Sequence, residues 1–201
     1  MPEIAFGNMP VDDGNFIFTE EEKNDFLKLE PTAELYFKKY IGAYEFLNRT
    51  YRWCLWLNDI EPSDLRKMPN VLKRIENVRN FRLKSSAKPT RDKADTPNRF
   101  FFISQPKSNY LVIPKTSSGK RRYVPIDFMD KETISSDLVN IVSDANLYSF
   151  GILSSNVHNS WVRVVAGRLK SDYRYSKDVV YNNFPWPTPT DEQKTKIEET
   201  A

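Results

Sequence analysis

Three arrangements in this 201-residue sequence combine residue types that can do chemistry. A nuclease of the PD-(D/E)xK type sets one carboxylate roughly ten or more residues ahead of an acid-x-Lys pair, so that metal and lysine converge beside a strand. Asp12 or Asp13 followed by Glu21-x-Lys23 has that spacing. Thr19-Glu-Glu-Glu22 is also a capping box, however, which puts Glu21 and Lys23 inside a helix, and the arrangement reads as a solvated helix face. Glu192-x-Lys194 fails likewise. His158 with Cys54 or a serine has the types of a nucleophilic pair, but neither an orienting acid nor an oxyanion hole accompanies it, so a satisfied helical histidine is expected.

The third arrangement is binding chemistry. Ser117-Ser-Gly-Lys-Arg-Arg-Tyr123 reads as a turn at Gly119 leading into a strand, where alternation puts Arg121 and Tyr123 on one face and Lys120 and Arg122 on the other. One pair would reach base edges in a groove while the other grips phosphates. Charge along the chain supports a polyanion. Residues 1 to 62 carry 12 acids and 6 bases, residues 63 to 123 carry 4 acids and 16 bases, and residues 124 to 201 carry 11 acids and 8 bases, within a formal net charge of +3. A basic middle between acidic ends is the distribution of a protein that meets nucleic acid on one face. Arg66, Arg74, Arg79, Arg82, Arg91, Arg99, Arg121 and Arg122 lie in that block, and arginine suits phosphate and guanine better than lysine does.

Composition narrows the classes. Six glycines stand where average usage of about 7% would give roughly 14. No two lie within six residues of each other, which rules out a GxGxxG or GxxxxGK[ST] phosphate loop. Asn182-Asn-Phe-Pro-Trp-Pro187 lacks the consecutive prolines of the loop with which adenine methyltransferases grip a flipped base, so no complete methyltransferase site is expected. One cysteine and one histidine make neither a disulfide framework nor a structural zinc site. No apolar run approaches the roughly 18 residues of a membrane span, no signal pattern opens the chain, and a reducing cytoplasm is expected.

The elements that must position these residues follow from periodicity. A strand is expected over Phe16–Phe18, a capped helix from Thr19 through Leu29, and a second helix from Pro31 to Gly42 on the spacing of Leu35, Tyr36, Tyr40 and Ile41. Tyr51–Leu57 reads as a buried strand, and a short helix after Pro62 precedes a longer one from Val71 to Leu83 with Val71, Leu72, Ile75 and Val78 on its apolar stripe. Arg79 and Arg82 border that stripe and should reach outward along their stems. Residues 84 to 99 lack large apolar side chains and read as a mobile basic loop that orders against DNA. Antiparallel strands are expected over Phe100–Ser104, Tyr110–Pro114 and Arg121–Ile126, with a fourth over Leu138–Val142. Val157, Trp161, Val164 and Val165 mark a helix that stops at Gly167, and Thr190-Asp-Glu-Gln193 opens a helix in which the chain ends. The fold class is α+β: a mainly antiparallel sheet with flanking helices, then a helical C-terminal portion.

Several segments together carry a resemblance. Ala5-Phe-Gly-Asn-Met-Pro10, Arg52-Trp-Cys-Leu-Trp-Leu57, Pro114-Lys-Thr-Ser-Ser-Gly-Lys-Arg-Arg-Tyr-Val-Pro125 and Ser149-Phe-Gly-Ile-Leu-Ser-Ser155 are followed by His158, Trp161 and Val165-Ala-Gly-Arg-Leu-Lys170. Tyr173-Arg-Tyr-Ser176 and Tyr181-Asn-Asn-Phe-Pro-Trp-Pro187 complete the series. In that order they resemble the target-recognition region of MmeI-like Type IIL restriction-modification enzymes. The resemblance implies a DNA-reading domain over 1–145 and the start of a C-terminal helical part over 146–201, within a parent chain that also carries nuclease and adenine-N6 methyltransferase domains. S-adenosylmethionine and Mg2+ would belong to those other domains, none to this fragment, which would have no catalytic residues or metal of its own. It would dock double-stranded DNA so that one adenine enters the methyltransferase pocket, and so set the site for cleavage and modification alike.

By the same resemblance the strand after Ser118 supplies the base readers, here Gly119, Arg121 and Tyr123. Relatives often carry a longer polar or charged residue where Gly119 stands, which implies a different recognised sequence. Backbone contacts are expected from Lys73, Arg74, Lys84, Lys88, Arg91, Lys115, Lys120, Arg122, Lys170 and Arg174, the last two lying in segments read first as scaffold, since aromatic-rich turns of this kind pin helices together. Two rival readings remain. A stand-alone nucleic-acid adaptor would need no catalytic neighbour, and a protein-interaction scaffold would use the aromatic segments and tolerate neutralisation of the basic hairpin.

Overall fold

A computed structural model describes residues 1–201. Its centre is an antiparallel sheet of β1 (Ile4–Phe6), β9 (Val139–Val142), β5 (Tyr110–Pro114) and β7 (Asp127–Met129), in that order. In β5 every residue is buried, because both faces of the sheet are covered. Leu111 and Ile113, with Val142, face a cluster completed by Leu153, Val162, Val180 and Tyr181 of the C-terminal segments, whereas Tyr110, Val112, Val139 and Ile141 face Ile41 and its neighbours. The alternation expected of a strand thus sorts the two cores.

A second sheet runs β2 (Ile17–Phe18), β4 (Arg52–Leu55), β3 (Phe37–Ile41) and β8 (Ile134–Ser135), antiparallel except where β8 joins β3 in parallel. On it pack α1 (Glu20–Leu29), whose Thr19 capping box is present, and α4 (Pro69–Leu83). The intervening helices are α2 (Ala43–Asn48) and the one-turn α3 (Pro62–Leu65). Aromatic residues fill the interior: Phe18, Phe26 and Phe37 meet edge to face at centroid distances of 5.0 to 6.0 Å. The sheets are joined at buried Asn8, whose Nδ2 donates to Ser135 O (3.0 Å) and Gln105 Oε1 (2.9 Å) while its Oδ1 accepts from Ser104 N (2.8 Å). A Cβ on Gly7 would collide with the carbonyls of Ser135 and Ser136 there.

The C-terminal segments are α6 (Leu147–Ser154), α7 (Asn156–Val165), a hairpin of β10 (Gly167–Leu169) and β11 (Asp172–Arg174), one π turn over Lys177–Tyr181, and α8 (Asp191–Thr200), opened by the expected capping box at Thr190. The hairpin forms a third sheet with β6 (Thr116–Ser117). The mixed α+β architecture and the strands Tyr110–Pro114, Val139–Val142 and Arg52–Leu55 agree with the sequence.

Five expectations are corrected. Pro31–Tyr36 is a 3-10 turn and Phe37–Ile41 a strand: Glu30, ending α1, turns its carboxylate to the N–H groups of Asn70 and Val71 at the start of α4, and the short aromatic run pairs with β4. Phe100–Ser104 makes a single bridge, Met9 to Phe102. Arg121–Ile126 is not a strand, for reasons given below. On α7 the buried face carries His158, Asn159 and Val162, while Val157 and Val164 are exposed, because the polar pair has partners to satisfy inside. On α4 Leu72 is exposed, and Arg82 is fully buried rather than reaching outward.

That burial also overturns the mobile loop. Arg82 donates through Nε to Val11 O (3.0 Å), through Nη1 to Lys93 O (3.1 Å) and Thr96 O (3.2 Å), and through Nη2 to Pro10 O and Arg99 O (both 2.8 Å). All five guanidinium N–H groups are used. Residues 84 to 99 consequently fold as α5 (Lys88–Asp92) and a 3-10 turn, Lys93–Asp95, against α4. Arg82→Met leaves these carbonyls unsatisfied in the core and is expected to destabilise the fold by about 3–5 kcal/mol, with new protease cleavage between Lys84 and Arg99. Urea unfolding measures it; a loss under about 1 kcal/mol contradicts the assignment.

Candidate nucleic-acid interface

The segment from Thr116 to Ile126 leaves β6 through a turn in which Ser118 O accepts from Arg121 N (3.0 Å). Beyond it no strand forms, because α7 supplies the partners a strand would have given. Asn159 Oδ1 accepts from Val124 N (2.7 Å), Arg163 Nη2 donates to Arg122 O (2.8 Å), and the Tyr123 hydroxyl donates to Asn156 Oδ1 (2.8 Å). The division of faces expected from strand alternation therefore does not hold. Instead the main chain is braced from behind, and Lys120, Arg121 and Arg122 are all exposed, with Arg122 Cζ 5.2 Å from the Tyr123 ring centroid. Arg121 lines a cleft of about 490 Å3 between this segment and the end of α2, shared with Arg49, Thr50, Pro125 and Asp127.

Gly119 is held against the β10–β11 hairpin. Its N–H reaches Asp172 Oδ1 (3.3 Å), and a Cβ there would stand 2.6 Å from Ser171 O. Its only means of contact is main chain. The hairpin brings Lys170, in the left-handed region at φ +57°, and Arg174, paired with Thr116, beside Lys120 and Lys115. Lys115 is half-buried with Nζ 5.0 Å over the Phe6 ring, and burial lowers its pKa. Arg168, which lies in the same hairpin but is not among the backbone contacts expected from sequence, joins them, stacked 3.6 Å over Tyr173 with Nη1 on Ser171 O (3.2 Å). Its signal was the Arg-x-x-x-x-Tyr spacing across a two-stranded hairpin, legible only once the register is known. None of these cations pairs with a carboxylate.

The bases of α4 and α5 form a second group, on a different core. Lys73 and Lys84 are exposed. Arg74 lies over Phe18 (4.3 Å) and Phe26 (5.1 Å) and donates to Asn15 O (2.8 Å), and burial lowers its pKa, so it serves the scaffold. Lys88 pairs with Asp92 at 2.8 Å, and Arg91 donates to Ser85 O and Ser86 O, both 2.7 Å. These last contacts are on the surface and can be exchanged for phosphate at little expense.

The remaining chemical candidates are occupied structurally. Asp12 is buried with Oδ2 accepting from Phe16 N (2.6 Å), and desolvation raises its pKa. Lys23 Nζ sits 3.6 Å over the Trp53 ring. Cys54, a residue of β4, is fully buried, where desolvation pushes its thiol pKa up, while His158 lies against Tyr175 and Phe184. His158 Nε2 shares a 2.9 Å hydrogen bond with the Tyr175 hydroxyl, its Nδ1 has no partner, and desolvation pushes its pKa down to about 4. No three His, Cys, Asp or Glu side chains are grouped so as to hold a metal ion.

Comparison with known proteins places this geometry. The family described as "MmeI, target recognition domain" matches residues 1–188. DNA methyltransferase A of Bacillus subtilis (strain 168) is 41% identical over 199 residues, which is 99% of this chain and 23% of that protein. The solved Type IIL restriction-modification enzyme MmeI, in complex with DNA, superposes with a TM-score of 0.96 at 53% identity, over 99% of this chain and 27% of that one. The type IIG restriction endonuclease BpuSI shares the fold at a TM-score of 0.60 and 14% identity, over 98% of this chain and 25% of its own. The chain spans about a quarter of the length of these relatives.

His158 gives a pH signature to the packing behind the loop. Its folded pKa of about 4 lies below the ordinary histidine value of 6.5, so as acid is added through this window the unfolded chain takes up a proton that the folded chain refuses. Stability is expected to fall between those pH values by up to roughly 3 kcal/mol, and His158→Gln to flatten that part of the profile. Urea midpoints across pH check this; identical slopes in the two proteins contradict it.

Proposed function

The chain belongs to the family of MmeI target recognition domains, and on that premise we propose that it reads a specific sequence in duplex DNA for a restriction-modification enzyme. The observation that supports this best is the pairing of a braced main chain with free cations. Asn156, Asn159 and Arg163 hold residues 122 to 124 from the rear, while Lys120, Arg121 and Arg122 stand in solvent without a carboxylate partner. Sequence reading needs that combination, since an arginine fork discriminates a guanine edge only if its Cα is held in place.

In this reading Arg121 and Tyr123 contact base edges and Gly119 offers main chain. Lys115, Lys120, Arg122, Lys170 and Arg174 neutralise phosphates beside them, and Lys73, Lys84, Lys88 and Arg91 do so further along the duplex. Arg74 contributes indirectly by holding α4 on the aromatic core. The chain itself performs no bond-breaking step. Methylation and cleavage fall to other domains of a longer parent chain, which would hold S-adenosylmethionine and Mg2+, in the cytoplasm. No helix here is long and apolar enough to cross a membrane.

Binding should weaken linearly in log affinity against log salt, because each phosphate contact releases counterions. Arg121→Ala is expected to cost about 1–3 kcal/mol on the recognised sequence and to relax one base position, while Lys84→Ala weakens recognised and scrambled duplexes alike. Fluorescence anisotropy with both duplexes distinguishes the two roles. Equal losses on both duplexes from both variants would overturn the assignment.

A further inference from the structure

The cleft that Arg121 lines is also lined by a second arginine, Arg49, from the acidic N-terminal third of the chain. Arg49 ends α2 in the left-handed region (φ +54°, ψ +39°), a slot that glycine or asparagine ordinarily takes. Asn48 stands immediately before it, so a shift of one residue would put a residue suited to that slot there. With Arg49 in place its N–H caps the helix on Phe46 O (3.4 Å), and Thr50 N reaches Glu45 O (3.0 Å). An arginine held in this conformation beside a cleft is a feature that function explains better than stability does.

Its charge is also unspent. The nearby carboxylate, Glu45, is taken: Oε2 accepts from Gly42 N (2.8 Å) and Oε1 lies 2.8 Å from Arg52 Nε. Asp127, on the same cleft, accepts from Phe128 N (2.8 Å). Arg49 and Arg121 each have neither an ion-pair partner nor a side-chain hydrogen bond. Two unpaired arginines lining one concavity, with Thr50 on the same cleft, call for an anion. Because Arg49 stands at a helix end on the scaffold and Arg121 on the exposed loop, the two suit different parts of one duplex.

We propose that Arg49 holds a DNA backbone phosphate next to the base contacted by Arg121, and so is a positioning residue for recognition. This rests on the DNA-reading function proposed above. The test is Arg49→Gly in the full chain, which removes the charge while suiting the left-handed slot, with Arg49→Lys as the charge-conserving control. Anisotropy is read on recognised and scrambled duplexes over a salt series, with thermal unfolding in parallel. Arg49→Gly is expected to unfold no earlier than wild type, to bind both duplexes about 5- to 10-fold more weakly at low salt, and to reduce the salt slope by about one, with Arg49→Lys restoring most of both. Wild-type affinity and slope for Arg49→Gly would overturn the inference, and so would a loss confined to the recognised duplex, which would make Arg49 a base reader. In either case Arg121→Ala still reports on DNA reading separately, and a wild-type chain that binds neither duplex overturns that function and this inference with it.

Discussion

Five main-chain carbonyls converge on the guanidinium of Arg82, and the placement of the basic residues of α4 and α5 depends on them. They come from residues 10 and 11, 93 and 96, and 99, so one side chain closes the N-terminal segment, α4 and the α5 segment into a single unit. Burying a guanidinium is costly unless every donor is used, and here each is, with the Asp12 carboxylate near enough to favour the charge. Val11, a β-branched residue, is held at φ +47°, in a region such residues seldom enter, and its carbonyl is one of the five acceptors.

Holding by side chains recurs at the loop proposed to read DNA. The loop after β6 obtains from Asn159 and Arg163 main-chain hydrogen bonds that a neighbouring strand would have supplied, and Asn156 holds the Tyr123 hydroxyl beside them. Both edges of β5 are already taken, by β9 and β7, so a further strand has no place beside it. A ladder would have sent every second side chain inward. Bracing from one side by polar side chains lets three consecutive cations face solvent on a main chain that is nonetheless held. Gly119 extends the device, letting the hairpin approach closely enough to add its own cations to those of the loop.

Much of the fold was legible because it rests on local physics. Both threonine capping boxes opened the helices they announced, and the runs that became β4, β5 and β9 combined apolar density with turn signals at their ends. What escaped was tertiary. Arg82 looked like a surface cation because its partners are main-chain carbonyls, which carry no mark in sequence. The same omission made residues 84 to 99 look mobile, since the segment has few apolar side chains of its own and is held by hydrogen bonds to one residue of α4. Phe37–Ile41 was read at helical spacing, and pairing with β4 decided otherwise. At the interface the basic cluster around Lys120 to Arg122 was evident in composition, whereas Arg49 and Arg168 depend on which elements the fold brings to the same place.

A surface built to read DNA must distinguish one sequence from another. The most direct measurement is recovery and sequencing of the duplexes that the full chain retains from a pool with a randomised core, at a salt concentration where non-specific binding is weak. The account predicts enrichment of one short motif over the input. A retained pool as random as the input, with binding still present, would contradict it and leave a protein that grips the phosphate backbone without reading bases.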